Sequence, residues 1–206
     1  VGAGVAGLQA LATAKRLGAV VHAADIRPDA AEQAKSIGAK VVDLGIPPEE
    51  AVGKGGYARK LSDEWLKKER QALQPAVTQA DVIILTALIP GKVAPILITD
   101  EMVKTMKKGS VIIDVSIDQG GNCEISESAR QVVKYGVTID ATPNLPSMMA
   151  QSSTWMFANT VYNLLCHVVK DGKILIDPSD EIIALSLVTR DGKIVHAGTL
   201  EAMQGN

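Results

Sequence analysis

The chain has 206 residues, of which 47% are hydrophobic but only 3% aromatic, so its interior must be built from Val, Ile, Leu and Ala, as suits buried parallel strands under Ala-rich helices. Lys+Arg 21 against Asp+Glu 23 gives a net charge of -2, and no basic block dominates any stretch, which argues against a nucleic-acid partner. Cys123 and Cys166 have no CxxC partner, and His22, His167 and His196 show no metal spacing, so neither a disulfide framework nor a bound metal is expected and a reducing compartment is the default. The apolar runs fall short of the roughly 20 residues that a bilayer span requires.

The opening VGAGVAGLQALATAKRLG sets Gly2, Gly4 and Gly7 in the spacing G-x-G-x-x-G ahead of a helical pattern, Leu8, Leu11, Ala12 and Leu17, that stops at Gly18. AVVHAA then reads as a strand ending at Asp25. In such a strand-turn-helix unit the first glycine permits the tight bend, the second lets the backbone approach a pyrophosphate, and the third lets helix and strand pack closely. The amides around Val5 and Ala6 would face the phosphates, and Asp25 would accept from the adenosine ribose hydroxyls. A carboxylate at that point repels a 2′-phosphate, which favours NAD(H) over NADP(H). Two plainer readings stay open: Asp25 as the cap of the next helix, and Arg27 as a solvated surface charge. Only Val1 precedes the glycines, so the chain is expected to begin inside a βαβ unit with its first strand truncated.

Pro28 opens a second helix running to Ile37, followed by the strand KVVDL. The stretch GIPPEEAVGKGGYARKLS breaks the alternation and is longer than the typical connection of about 4–6 residues, which marks it as functional or mobile. A helix from about Ser62 to Gln74, the strand ADVIILTA, a helix from Thr99 to about Lys108, and the strands SVIIDVS and GVTIDA follow. Asp118 comes just after a strand, where open α/β sheets hold ligands, although it could equally brace the Gly120-Gly121 turn; Asp114, within the strand, reads as structural. Cys123 has no histidine near it in sequence and reads as an ordinary thiol. A long helix is expected from Gln151 to about Val169, then KILID, IIALSLVTR and KIVHA, divided by turns at Asp171-Gly172 and Asp191-Gly192. The fold class expected is α/β, a doubly wound parallel sheet of Rossmann type over residues 1–150. A connecting helix and tail over 151–206 would belong to a second, incomplete domain and pack on a missing N-terminal one.

At GGYARK, LTALIPGKVAP, KKGSVIIDVSIDQGGNC and VTRDGKIVH the chain closely resembles the NAD-binding part of the proton-translocating NAD(P) transhydrogenase alpha subunit, within the alanine dehydrogenase/transhydrogenase superfamily. The resemblance implies NAD(H) bound here and hydride passed to NADP(H) on a partner subunit, coupled to proton movement through a membrane-spanning component. It implies that Gly2, Ala3, Gly4 and Val5 meet the pyrophosphate and that Asp25, Ile26 and Arg27 flank the adenosine. It further implies that Gly56 and Tyr57 ride on a closing loop with Gly55 and Gly56 as hinges, that Leu88 lines the pocket, and that Glu69 lies near the nucleotide. A homodimer is implied, as is a peripheral position on the cytoplasmic side of an inner membrane, or the matrix side in a mitochondrion.

The match has departures. Met148-Met149 stand where transhydrogenases often carry an arginine after NLPS. DVSIDQGG is nearer the alanine dehydrogenase wording, which implies a catalytic part for Asp118 and puts Asn144 near the nicotinamide. Three functions are therefore carried forward: a transhydrogenase component, an alanine-dehydrogenase-like oxidoreductase, and an NAD-sensing module without chemistry.

Overall fold

Gly4 is the last extended residue before α1 (Val5–Arg16), whose start no side chain caps and whose last turn carries Lys15 and Arg16 against the helix dipole. The structure is a computed structural model describing residues 1–53, 56–89 and 91–204. It forms two units, Val1–Leu145 and Pro146–Asn206, a division that falls ahead of the one expected after residue 150.

In the first unit β1 (His22–Ala23) leads through α2 (Pro28–Ser36) to β2 (Lys40–Val41), which pairs with β1 in parallel. The long loop holds one turn of helix, α3 (Pro48–Ala51), and a bridge between Val52 and Ala58. Next, α4 (Asp63–Gln79), capped by Ser62, leads to β3 (Val82–Leu85), and α5 (Asp100–Lys104), capped by Thr99, leads to β4 (Val111–Asp114). β3 and β4 are parallel.

β5 (Gln131–Lys134) and β6 (Val137–Asp140) form a hairpin, and β6 runs parallel to β4, giving the order β3-β4-β6-β5. Between the two sheets lies the opening dipeptide. The Gly2 amide donates to the Ala24 carbonyl at 2.8 Å, the Val1 nitrogen to the Ile84 carbonyl at 2.8 Å, and the Thr86 amide to the Val1 carbonyl at 2.9 Å. Val1 and Gly2 thus stand where a strand would join β1 to β3. Separate core clusters serve the two halves: Ala3, Val21, Ala23, Ala30, Ala34 and Ala39 around α1 and α2, and a larger one including Leu73, Leu85, Ile98, Ile112 and Ile139 around the four-stranded sheet. This is the α/β architecture expected.

Several elements differ from expectation. α4 continues past Pro75 to Gln79: proline costs the helix one backbone hydrogen bond, but buried Leu73 and Val77 hold the turns on either side. α5 stops at Lys104, where Thr105 turns its hydroxyl back onto the Met102 carbonyl at 2.8 Å. The strand β5 was not expected; its partner strand is reached through Tyr135 and Gly136, both at positive φ (57° and 83°), the geometry of a tight two-residue hairpin turn.

After the short turn α6 (Leu145–Met148), the second unit contains α7 (Ala150–Val168) and the hairpin β7 (Val169–Lys170) and β8 (Lys173–Ile174). IIALSLVTR is not one strand: Asp180 accepts from the Ile183 amide at 3.0 Å and caps α8 (Glu181–Ser186). β9 (Thr189–Arg190) and β10 (Lys193–Ile194) turn at Asp191-Gly192 as expected, and α9 (Ala197–Gln204), not expected, closes the unit. Among the described residues no helix is long and apolar enough to cross a membrane.

Candidate functional site

The three glycines of the opening turn are required for different reasons. Gly2 has φ +85°, and a Cβ there would lie 2.7 Å from the Ala87 nitrogen and the Thr86 carbonyl carbon. A Cβ on Gly7 would collide with the Gly2 carbonyl oxygen and reach within 3.0 Å of Thr86 Oγ1, whose hydroxyl donates to that same carbonyl at 2.7 Å. Gly4 is unlike both: a Cβ on it would meet only Arg27 Nη2, at 4.0 Å, and would otherwise project into an open cavity that Gly4 lines. The first and third glycines let the turn pack, and the second keeps a space clear in front of an uncapped helix start. That cradle fits a pyrophosphate group.

At the end of β1 the Asp25 carboxylate takes four donors. Oδ2 accepts from the Ala3 amide at 2.7 Å and from Arg27 Nη2 at 2.9 Å, while Oδ1 accepts from the Arg27 amide at 2.9 Å and from Arg27 Nε at 3.1 Å. Asp25 therefore ties the glycine turn to the segment that follows β1, and the Arg27 guanidinium, held charged above all by its hydrogen bond to Asp25, is no freely solvated charge. Nor does Asp25 cap α2, whose first turn has no side-chain cap.

These residues border a cavity of about 640 Å³, within the range of small-molecule sites. Gly2, Gly4, Val5 and Ala6 come from the glycine turn and Asp25, Ile26 and Arg27 from the end of β1; Tyr57 to Leu61 come from the long loop, Leu66 and Glu69 from α4, and Thr86, Ala87 and Leu88 from the segment after β3. Glu69 is 5% exposed, and burial first, then Asp25, push its carboxyl up to about 7 against the opposing pull of Arg70.

Of the residues singled out from sequence, Ala3 and Gly7 are buried behind the turn and Gly56 adjoins the wall residue Tyr57 without lining it, whereas Gly55 lies outside the described residues. Asp118 is not on the wall, although its neighbour Gln119 is. Its carboxylate accepts from the Asn144 amide at 2.9 Å and does not brace the Gly120-Gly121 turn.

Bracing of that turn falls to Asp114, which is 1% exposed and accepts from the Asn122 and Cys123 amides and the Ser126 hydroxyl at 3.0, 3.0 and 2.8 Å. Asn122, wholly buried, in turn holds the cavity wall: its side chain donates to the Ala87 and Pro95 carbonyls at 2.9 and 2.8 Å and accepts from the Ala87 amide at 3.0 Å. The sequence expectations did not include Asn122 or Thr86 as wall-bracing residues, and no local signal marks either, since their partners lie far along the chain. Cys123 is buried and its thiol is pushed up by that burial, which fits an unreactive thiol. His167 pairs with Asp180 at 2.9 Å and His196 with Thr199 at 2.9 Å, both inside the second unit. Among the described residues no group of three or more His, Cys, Asp or Glu side chains could hold a metal ion.

The family described as alanine dehydrogenase/PNT, C-terminal domain, matches residues 1–197. The first section of the divided NAD(P) transhydrogenase alpha subunit of Rhodospirillum rubrum is 48% identical over 198 residues, covering 95% of this chain and 52% of that protein. Alanine dehydrogenase of Halomonas elongata is 33% identical over 191 residues, covering 89% of this chain and 50% of the other. The crystal structure of transhydrogenase from Sinorhizobium meliloti superposes with a TM-score of 0.74 at 36% identity, over 94% of this chain and 51% of that one. The chain thus spans about half the length of the relatives it matches. With the family match running from the glycine turn to the second unit, the chain belongs to the alanine dehydrogenase/PNT family and carries its C-terminal domain.

Proposed function

We propose that this chain is the NAD(H)-binding portion of a proton-translocating NAD(P) transhydrogenase alpha subunit. The observation that carries the reading is the Gly4 cradle: an uncapped helix start beside the single glycine of the turn whose missing side chain leaves a cavity open. The greater likeness to the Rhodospirillum rubrum transhydrogenase subunit, 48% against 33% for the Halomonas elongata alanine dehydrogenase, favours the transhydrogenase over the dehydrogenase.

In this reading the amides of Val5 and Ala6 take the pyrophosphate, and Asp25 with Arg27 takes the adenosine ribose. Because all four Asp25 acceptor positions are filled, the ribose engages it by displacing Arg27, whose freed guanidinium turns toward the diphosphate. Leu88 and Ile89 supply an apolar wall, and the loop bearing Gly56 and Tyr57 closes over the mouth to exclude water. Bound NADH supplies a hydride that passes directly to NADP⁺ on a partner subunit, so the protein's work is positioning and drying the site rather than proton abstraction. Asp118, off the cavity wall, is given no step in this reading.

The reading includes a homodimer and attachment through partner subunits to the cytoplasmic or matrix face of an inner membrane. Trp155, Met156, Phe157 and Tyr162 on α7 are 63–71% exposed, the surface of a helix covered by another polypeptide segment, which supports assigning the second unit to a larger body.

The test is NADH-dependent reduction of an NADP⁺ analogue once the NADP-binding component is supplied. Oxidation of NADH that depends on pyruvate and ammonium would instead favour the dehydrogenase, and tight NADH binding with neither activity would favour a sensing module.

A further inference from the structure

Glu69 stands apart among the cavity's polar side chains. It is 95% buried on α4, yet among the described residues no hydrogen bond or ion pair reaches its carboxyl, and only charges at a distance act on it. Among those residues every polar side-chain atom sealed from solvent has a partner, so the unpartnered Glu69 oxygens must touch the cavity itself. Asp25, by contrast, has its acceptor positions filled. Of Asp25 and Glu69, it is therefore Glu69 that offers the cavity unsatisfied hydrogen-bonding capacity.

The charged groups around it come from four elements. Asp25 and Arg27 line the same cavity from the end of β1 as a closed pair, and Arg59, Lys60 and Asp63 line it from the long loop and the start of α4. Arg70, its neighbour on α4, spends its Nε on the Ile96 carbonyl at 2.8 Å, and the Val1 amino group is tied to the Ile84 carbonyl. None of these forms an ion pair with Glu69. A buried carboxylate with no donor is unfavourable, and burial together with Asp25 already favours its protonated form. A dinucleotide in the cavity adds the negative charge of two phosphates and expels water, and both act in the same direction.

We propose, resting on the nucleotide reading above, that Glu69 is a proton-linked recognition group: it enters the complex as a neutral carboxyl, donates its O–H to an acceptor atom on the adenosine half, and couples NAD(H) binding to uptake of one proton from solvent. The bond formed is a single carboxyl O–H from carboxylate and a solvent proton, and no other bond changes. Affinity for the dinucleotide is then set in part by the surrounding proton concentration.

The experiment is calorimetric titration of the full chain with NADH at about pH 8 in buffers of different ionisation enthalpy, for wild type and Glu69→Gln. Wild type is expected to take up a substantial fraction of a proton, and its Kd to rise several-fold, toward about tenfold, from about pH 6.5 to about 8.5. Glu69→Gln is expected to bind with no uptake and a flat profile. NADH binding by wild type without uptake, or with equal uptake in Glu69→Gln, overturns the inference and leaves the nucleotide reading intact. Absence of NADH binding in every buffer overturns the nucleotide reading and the inference with it. Should Glu69→Gln fail to fold, a protonated-carboxyl infrared band gained by wild type on NADH addition at about pH 8 supports the inference, and its absence overturns it.

Discussion

The Arg27 guanidinium closes on the Asp25 carboxylate through Nε and Nη2, at 3.1 and 2.9 Å, while the other lone pairs of that carboxylate hold the amides of Ala3 and Arg27. One side chain thus orients the glycine turn and restrains a cation beside the cavity. Replacing Asp25 with Ala removes the acceptor for the ribose and frees Arg27 to meet a 2′-phosphate. NADH binding should weaken by roughly 1–3 kcal/mol, whereas NADPH binding should weaken less, so that the preference between the two narrows. Fluorescence titration with both nucleotides measures this; an unchanged NADH dissociation constant would remove Asp25 from the site.

Gly7 does not line the cavity, yet its substitution should be among the most damaging in the chain. A methyl group there collides with the Gly2 carbonyl, which the Thr86 hydroxyl already holds in place. Gly7→Ala should cost about 1–3 kcal/mol or more of stability through overpacking, seen as a lowered Tm, and should displace the turn that faces the cavity. Gly4→Ala, with open space before it, should leave Tm nearly unchanged and act on NADH affinity instead. Equal loss of stability in the two variants would contradict this division of roles.

That division explains what could be read beforehand. The spacing of Gly2, Gly4 and Gly7 and the acid at the next strand end are local signals, because each glycine is demanded by contacts within one strand-turn-helix unit. The hairpin at Tyr135-Gly136 escaped because a tyrosine at positive φ is not a recognised turn residue, and α8 escaped because its apolar run IIALS has no clear period until Asp180 caps it. Asn122 and Thr86 were illegible for another reason: their partners, Ala87 and Gly2, are 35 and 84 residues away, and only the fold brings them together.

Asn122 supplies the clearest test of that long-range bracing. Its three side-chain hydrogen bonds fix Ala87 and Pro95, so Asn122→Ala would leave the Ala87 amide and the Pro95 carbonyl without this partner and the Ala87 carbonyl with only the Ser116 hydroxyl at 3.4 Å. A loss of about 2–4 kcal/mol is expected, one to a few kcal/mol for each uncompensated group with partial relief by water. Denaturant unfolding measures it, and a loss under about 0.5 kcal/mol would show that the wall is held by other contacts.

Tyr57 is 60% exposed, lines the cavity, and belongs to the loop proposed to close over the mouth. Closure would move its ring from solvent onto the bound nucleotide. Its aromatic NMR signals should shift or broaden as NADH is added, and Tyr57→Ala should weaken binding by about 0.5–1.5 kcal/mol, the contribution of a ring contact. Signals unaltered at saturation would count against the loop as a lid.

Glu69 should make the fold itself sensitive to pH. Its carboxyl is pushed up to about 7 by burial and by Asp25, from an ordinary 4.5, so over that interval the folded chain holds a proton that the unfolded chain has lost. A group with a raised carboxyl pKa lends no penalty below 4.5 and an increasing one as pH rises to 7. Glu69→Gln keeps the shape without the titration. It should match wild type in acid and exceed it above neutrality by up to roughly 3 kcal/mol, read as a difference in denaturant midpoint that widens with pH. A constant difference across the range would mean that Glu69 meets enough water through the cavity to titrate as an ordinary carboxyl.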